Sequence, residues 1–201
     1  MRCISLLSIL LFIGTSCVAQ GYEQTKLNSI FNGKTWENWK VPDGNEWSIK
    51  KGKITAKNNP EKKGSILWTQ ETYKDFIVQL DFKLIDGNID SGIFMRGDDK
   101  KNPQIQIGIS GSLKRDMTGS PYVPGSGYPV EASNVKKLLR LKGWNTITAR
   151  AIGNSYTVWL NGEEVMNYTM PNANLEGPVG IQLHPNREME IQFRKIRLAA
   201  L

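Results

Sequence analysis

The sequence predicts an all-β protein, an antiparallel two-sheet sandwich of jelly-roll type with at most one short helix. Three observations lead there. Apolar and polar residues alternate with period two in run after run, sending one set of side chains to a core and the other to the opposite face. Gly, Asn and Asp punctuate those runs at hairpin spacing, as in Gly153-Asn154 and Asn161-Gly162. Only Asn134 to Leu141 has the makings of a helix, and no repeat of fixed period points to a propeller or solenoid.

In order, Ser29-Ile30-Phe31 runs into the turn Asn32-Gly33-Lys34, and Trp47 to Ile49 with Lys53 to Thr55 flank the hairpin turn Lys51-Gly52. Ser65 to Trp68 is a short apolar run. Asp75 to Ile85 is the longest alternation, with Phe76, Val78, Leu80, Phe82 and Leu84 on one face. After Asp86-Gly87-Asn88, two neighbouring strands are expected in Ile89 to Arg96 and Gln104 to Ile109. The second places Ile105, Ile107 and Ile109 on the core, opposite Gln104, Gln106 and Gly108. The first places Asp90, Gly92, Phe94 and Arg96 together.

A Gly/Pro/Ser-rich loop runs past Tyr122 to Glu131. Asn134 to Leu141 reads as two turns of helix with Ser133 or Asn134 as N-cap, ended by Gly143. Strands follow at Trp144 to Ile152, Tyr156 to Leu160 and Glu164 to Tyr168. The last two are Val179 to His184 and Glu188 to Leu198. Roughly a dozen strands result, and a jelly roll fits their number and spacing.

Residues 1–19 read as a secretory signal peptide: Arg2, an apolar run from Ile4 to Ile13, and small residues up to Ala19. The run is shorter than the roughly 20 residues of a membrane span, and no later segment is apolar enough for one. Cys17 as a lipidated residue is the less favoured alternative, because Gly14 stands where Leu is usual. Residues 20–201 are then one β-sandwich domain of an exported protein, periplasmic or extracellular. Both cysteines, Cys3 and Cys17, fall in the leader, so no mature disulfide or thiol chemistry is expected. The formal charge of +7 drops by one with Arg2. The remaining lysines are scattered in pairs at turns rather than striped among aromatics, which disfavours nucleic acid as a partner.

The polar faces carry Arg96, Gln104, Gln106, Gln182, His184, Gln192 and Arg194. Amides and guanidinium groups offer fixed donors and acceptors that suit sugar hydroxyls. A solvated sheet face is the alternative. The six tryptophans offer stacking platforms, although most belong in the core. One His and no mature Cys exclude a clustered His/Cys metal site, and no cofactor is expected. A carboxylate-held Mg or Ca is left open, with Asp98-Asp99 read as a solvated turn. Neither a nucleophile elbow nor a phosphate-binding Gly loop is present. A conventional glycosidase needs two carboxylates about 5–10 Å apart, and the amide face offers no such pair. His184, the one imidazole, ends a strand whose same face bears Gln182. A lone His is more often structural, yet imidazoles titrate near neutral pH and suit proton abstraction.

Ile30-Phe31-Asn32-Gly33-Lys34 with Trp36, Trp39, Trp47 and Gly52 resembles the opening of the 3-keto-disaccharide hydrolase domain family. The resemblance continues through Ser91-Gly92-Ile93-Phe94-Met95-Arg96, Gln106-Ile107, Thr118-Gly119 with Tyr122, Gly143-Trp144-Asn145 and Trp159-Leu160-Asn161-Gly162. It ends in Gly180-Ile181-Gln182-Leu183-His184 and Phe193-Arg194-Lys195-Ile196-Arg197, so it spans nearly the whole mature chain.

The family implies a concanavalin A-like jelly roll, related to laminarinase-type hydrolases and legume lectins, with sugar bound on a concave sheet face. It implies cleavage of glycosides already oxidised to a ketone at carbon 3. That ketone acidifies the carbon-2 proton, so one base starts elimination of the carbon-1 substituent and water then adds back. On this resemblance His184 is the expected base and Arg96 or Arg194 the oxyanion-stabilising cation. Gln104, Gln106, Tyr122, Gln182 and Arg194 are the expected sugar contacts.

The chain departs from the family pattern where Gln104 replaces a usual Glu, where Ile109 and Ser110 replace an acid, and where Asp90 replaces a common Asn. Losing the Glu removes an acid-base group. That departure favours a non-catalytic carbohydrate-binding module as the alternative function. A surface-interaction protein is the third reading.

Overall fold

In the computed structural model, residues 25–97 and 102–201 are described. The expected leader with Cys3 and Cys17, most of the polar lead-in, Asp98-Asp99 and Lys100-Lys101 lie outside the described residues. The strands are β1 (Asn28–Ser29), β2 (Trp39–Lys40), β3 (Trp47–Lys50), β4 (Lys53–Lys57), β5 (Ser65–Thr69), β6 (Phe76–Gly87) and β7 (Asp90–Phe94). They continue with β8 (Gln104–Gly108), β9 (Pro121–Tyr122), β10 (Asn145–Ile152), β11 (Ser155–Leu160), β12 (Glu163–Thr169), β13 (Gly180–Leu183) and β14 (Met189–Ala200). One helix, α1 (Val135–Leu138), interrupts them.

All pairings among these strands are antiparallel. An eight-stranded sheet runs β12-β11-β10-β6-β14-β4-β3, with β1 also paired to β14. A six-stranded sheet runs β2-β5-β13-β7-β8-β9. The fold is therefore the two-sheet β-sandwich that the alternation predicts. Phe76, Val78, Leu80 and Phe82 of β6 are fully buried, as are Ile93, Ile105, Ile107 and Leu183 on the other sheet. Each such side chain contributes about 1.5–3 kcal/mol of transfer free energy. The opposite face of β6 is buried too. Gln79 bonds to Thr148 and Arg197, and Asp81 to Thr146 and Arg194, so long neighbouring side chains cover it.

The two expected turns of helix shrink to one. Asn134 adopts a left-handed φ of 58° and its side chain makes no capping bond, while Leu139 is already extended. Helices this short draw little stability from their own hydrogen bonds. More consequential is the connection between β13 and β14, which belong to different sheets. The segment 184–188 crosses from one sheet to the other and rises past the open face of the six-stranded sheet.

Candidate functional site

The site is built on the outer face of β13, β7 and β8. Because Ile93, Ile105, Ile107 and Ile181 point into the sandwich, period two turns Asp90, Gln104, Gln106 and Gln182 outward. Gly92 lies in the middle of this face, opposite Gln106 in the β7–β8 register. A Cβ there would come within 2.6 Å of Gln104 Cγ and 2.7 Å of the Ile105 carbonyl oxygen. The absent side chain lets Gln104 lie across β7, where its Nε2 donates to Gln182 Oε1 at 2.7 Å. An amide floor results, with Gln104 and Gln106 only 4 % and 2 % exposed.

Asp90 anchors one end. Its Oδ1 accepts from Gln106 Nε2 at 2.8 Å, and its Oδ2 accepts from Arg187 Nε at 3.2 Å and Nη2 at 2.9 Å. Charge-assisted bonds of this kind are the stronger class, and they compensate the buried carboxylate. His184 stands beside them, its Nε2 3.8 Å from Asp90 Oδ2. Its Nδ1 is 2.7 Å from the Pro185 carbonyl oxygen. A carbonyl only accepts, so in the neutral ring Nδ1 carries the hydrogen and Nε2 the lone pair. Asn58 Nδ2 donates to the His184 carbonyl at 3.1 Å, and the Asn186 amide to Lys62 O at 2.8 Å, which buttress the crossing segment from behind.

The remaining wall comes from Ser110, Gly111 and Ser112 with Tyr122 and Tyr128. Gly111 accommodates the Arg187 guanidinium where a Cβ would otherwise sit. The Tyr122 and Tyr128 rings pack 5.3 Å apart, tilted by 60°. Burial pushes the Tyr128 phenol up to about 12; the Ser110 hydroxyl opposes that rise, while Asp90 and Tyr122 add to it. Together these groups line an open cavity of about 240 Å3. That falls below the roughly 300–1,000 Å3 of drug-sized sites.

His184, Gln104, Gln106, Tyr122 and Gln182 are thus brought together, whereas Arg96 and Arg194 are not. Strand β7 ends at Phe94, and Arg96 adopts a left-handed φ of 63°. The alternation that was to place Arg96 beside Asp90 stops two residues short. Its side chain is 1 % exposed and is spent inside the protein. It donates to the Lys74, Gly153 and Asn174 carbonyls and pairs with Asp75 at 2.9 Å. Arg194 belongs to β14 on the other sheet. It pairs with Asp81 at 3.0 Å, its guanidinium 4.0 Å from the centroid of the Trp144 ring.

Asp90, Arg187 and Tyr128 complete the pocket without having been singled out as site residues. Asp90 was legible as a carboxylate in phase with Gly92. Arg187 was signalled only by the turn Pro185-Asn186 directly after His184, and Tyr128 by nothing local. No tryptophan is among the residues lining the cavity. Among the described residues no three of His, Cys, Asp and Glu gather as a metal-binding group, and no helix is long and apolar enough to cross a membrane.

An antiparallel sandwich with a small polar pocket on one sheet face defines the class. Within it, the 3-keto-alpha-glucoside-1,2-lyase-like domain matches residues 26–199, and the chain belongs to that family. Among solved structures, a candidate glycosyl hydrolase from Parabacteroides distasonis ATCC 8503 is 25% identical, with a TM-score of 0.65, over 88% of this chain and 100% of its own. A second from the same organism is 17% identical, with a TM-score of 0.66, over 87% and 94%. The carbohydrate-binding module CBM66 of Bacillus subtilis shares the fold at 14% identity and a TM-score of 0.61, over 81% and 96%. No curated protein sequence matches this one significantly.

Proposed function

We infer that this protein, exported by the leader at residues 1–19, cleaves glycosides whose sugar is a ketone at carbon 3. One neutral ring rests on Gln104, Gln106 and Gln182. His184 Nε2 removes the carbon-2 proton, and the Arg187 guanidinium stabilises the oxyanion that develops at carbon 3. Arg187 takes the role first expected of Arg96 or Arg194. Asp90 engages its Nε and Nη2, which fixes the plane of the guanidinium and leaves Nη1 outside that pair. Water then adds back at carbon 1.

One observation carries the reading. The Pro185 carbonyl commits His184 Nδ1 as donor, so the lone pair is on the nitrogen 3.8 Å from Asp90 Oδ2, at the pocket that Arg187 also lines. The test is a panel of native and 3-keto-glucosides given to wild type and to His184→Ala. Turnover by wild type of the keto forms alone, falling about 10²–10⁴-fold in the variant with binding retained, is the expected result.

A second reading is a carbohydrate-binding module without turnover. It is favoured by Asp90 being the one carboxylate that lines the cavity among the described residues, already bonded to Gln106 and Arg187. Glycan binding with no turnover of any 3-keto-glycoside selects it.

A further inference from the structure

The elimination assigned to this pocket needs two proton transfers, and His184 accounts for one. The glycosidic oxygen departs with an electron pair and must gain a proton. Arg187 cannot supply it, because a guanidinium is not an acid at physiological pH.

Tyr128 lines the same cavity as His184 and Arg187, on the wall formed with Ser110 and Gly111. Its place is fixed by the chain. Val123 and Gly127 exchange backbone hydrogen bonds of 2.7 and 2.9 Å, closing a tight loop that returns Tyr128 onto the Tyr122 ring. His184 follows β13 and Tyr128 packs on Tyr122 of β9; β7 and β8 lie between those two strands in the sheet, and β8 carries Gln104 and Gln106.

Resting on the function proposed above, we propose that Tyr128 is the acid that protonates the leaving oxygen and the base that then activates water. In the first half, His184 Nε2 takes the proton from carbon 2, and that C–H electron pair becomes the carbon-1–carbon-2 double bond. The carbon-1–oxygen bond breaks, its electron pair stays on the leaving oxygen, and the Tyr128 hydroxyl proton joins it. The alcohol leaves, with Tyr128 as phenolate and His184 as imidazolium. In the second half, Tyr128 takes a proton from water as the water oxygen bonds carbon 1, and the imidazolium returns its proton to carbon 2. Glycoside and water become sugar and alcohol, and both side chains are restored.

The phenol suits the task. Burial holds its proton up to about 12, so the phenol carries its proton throughout the physiological pH range. An alkoxide is more basic than a phenolate, so the transfer to the leaving oxygen is downhill.

Leaving-group dependence tests the assignment in the intact protein. Wild type and Tyr128→Phe are each given an alkyl and a 4-nitrophenyl 3-keto-glucoside. Release of the leaving group, which reports the elimination half alone, is followed. Nitrophenolate departs without a proton, so the variant is expected to lose about 10²–10⁴-fold on the alkyl substrate and less than about tenfold on the nitrophenyl one. Equal losses on both, or none, overturn the role of Tyr128 and leave His184 as the one group that carries both protons. A wild type inactive on both substrates instead overturns the elimination itself, and this assignment with it.

Discussion

Arg187 and Asp90 are joined through a single carboxylate oxygen, Nε at 3.2 Å and Nη2 at 2.9 Å from Oδ2, while Gln106 holds Oδ1 at 2.8 Å. One buried acid thereby aligns a strand amide with a cation on a segment that crosses between sheets. Asp90→Asn keeps the shape and removes the charge, leaving Arg187 without its counterion. The loss expected in urea unfolding is about 1–3 kcal/mol, at the lower end because the Arg187 side chain is 23% exposed. Turnover should fall further than binding, since the cation that faces the oxyanion loses its orientation.

Gly92 makes the amide floor possible. In Gly92→Ala the new methyl meets Gln104 Cγ at 2.6 Å and the Ile105 carbonyl oxygen at 2.7 Å, and the carbonyl belongs to backbone that cannot swing away. Overpacking of this kind costs about 1–3 kcal/mol. Calorimetric titration with sugar should show weakened binding, because Gln104 is displaced from Gln182. Unchanged affinity would mean the Gln104–Gln182 bond is not part of the binding floor.

The sandwich was legible because period two persists through β6, β7, β8 and β10, where one face must be apolar. The floor was legible for the same reason: Gln104, Gln106 and Gln182 follow from the phase of Ile105, Ile107 and Ile181. What failed lies where phase ends. Arg96 sits past the last paired residue of β7 with a left-handed backbone, so its direction is set by the turn. Arg194 was assigned to the right side of its own strand, yet nothing in the sequence says which sheet that strand joins. Arg187 and Tyr128 reach the pocket from connections, whose paths depend on long-range packing.

Two arginines outside the pocket should separate stability from function. Arg96→Met strands the Lys74, Gly153 and Asn174 carbonyls and unpairs Asp75, and the expected cost is about 3 kcal/mol or more. Arg194→Ala loses a partly exposed pair with Asp81 and the contact with Trp144, about 0.5–2 kcal/mol. Denaturant midpoints should rank the two variants in that order. Sugar affinity of the folded fraction should match wild type in both, and a large affinity loss in Arg194→Ala would place a sugar contact on the eight-stranded sheet.

Tyr128 should also be visible in the alkaline limb of stability. The folded protein holds its proton up to about 12, whereas in the unfolded chain a phenol titrates near 10. Below that lower value both states are protonated and the residue adds no pH dependence. Between the two, the unfolded chain has released the proton that the folded one retains, so unfolding gains free energy and stability falls as pH rises. Tyr73 and Tyr156 are raised by burial as well and contribute the same sign. The wild-type slope therefore does not isolate one residue, but the difference between wild type and Tyr128→Phe does. Urea midpoints of the two proteins, taken from about pH 9 to about pH 12, should run parallel at first and then converge or cross as wild type loses ground. The ceiling on that divergence is about 2.7 kcal/mol, reduced because the ring is partly exposed. Parallel curves throughout would mean the phenol ionises as freely in the pocket as in the unfolded chain, and a proton donor held in reserve would then be missing from this wall.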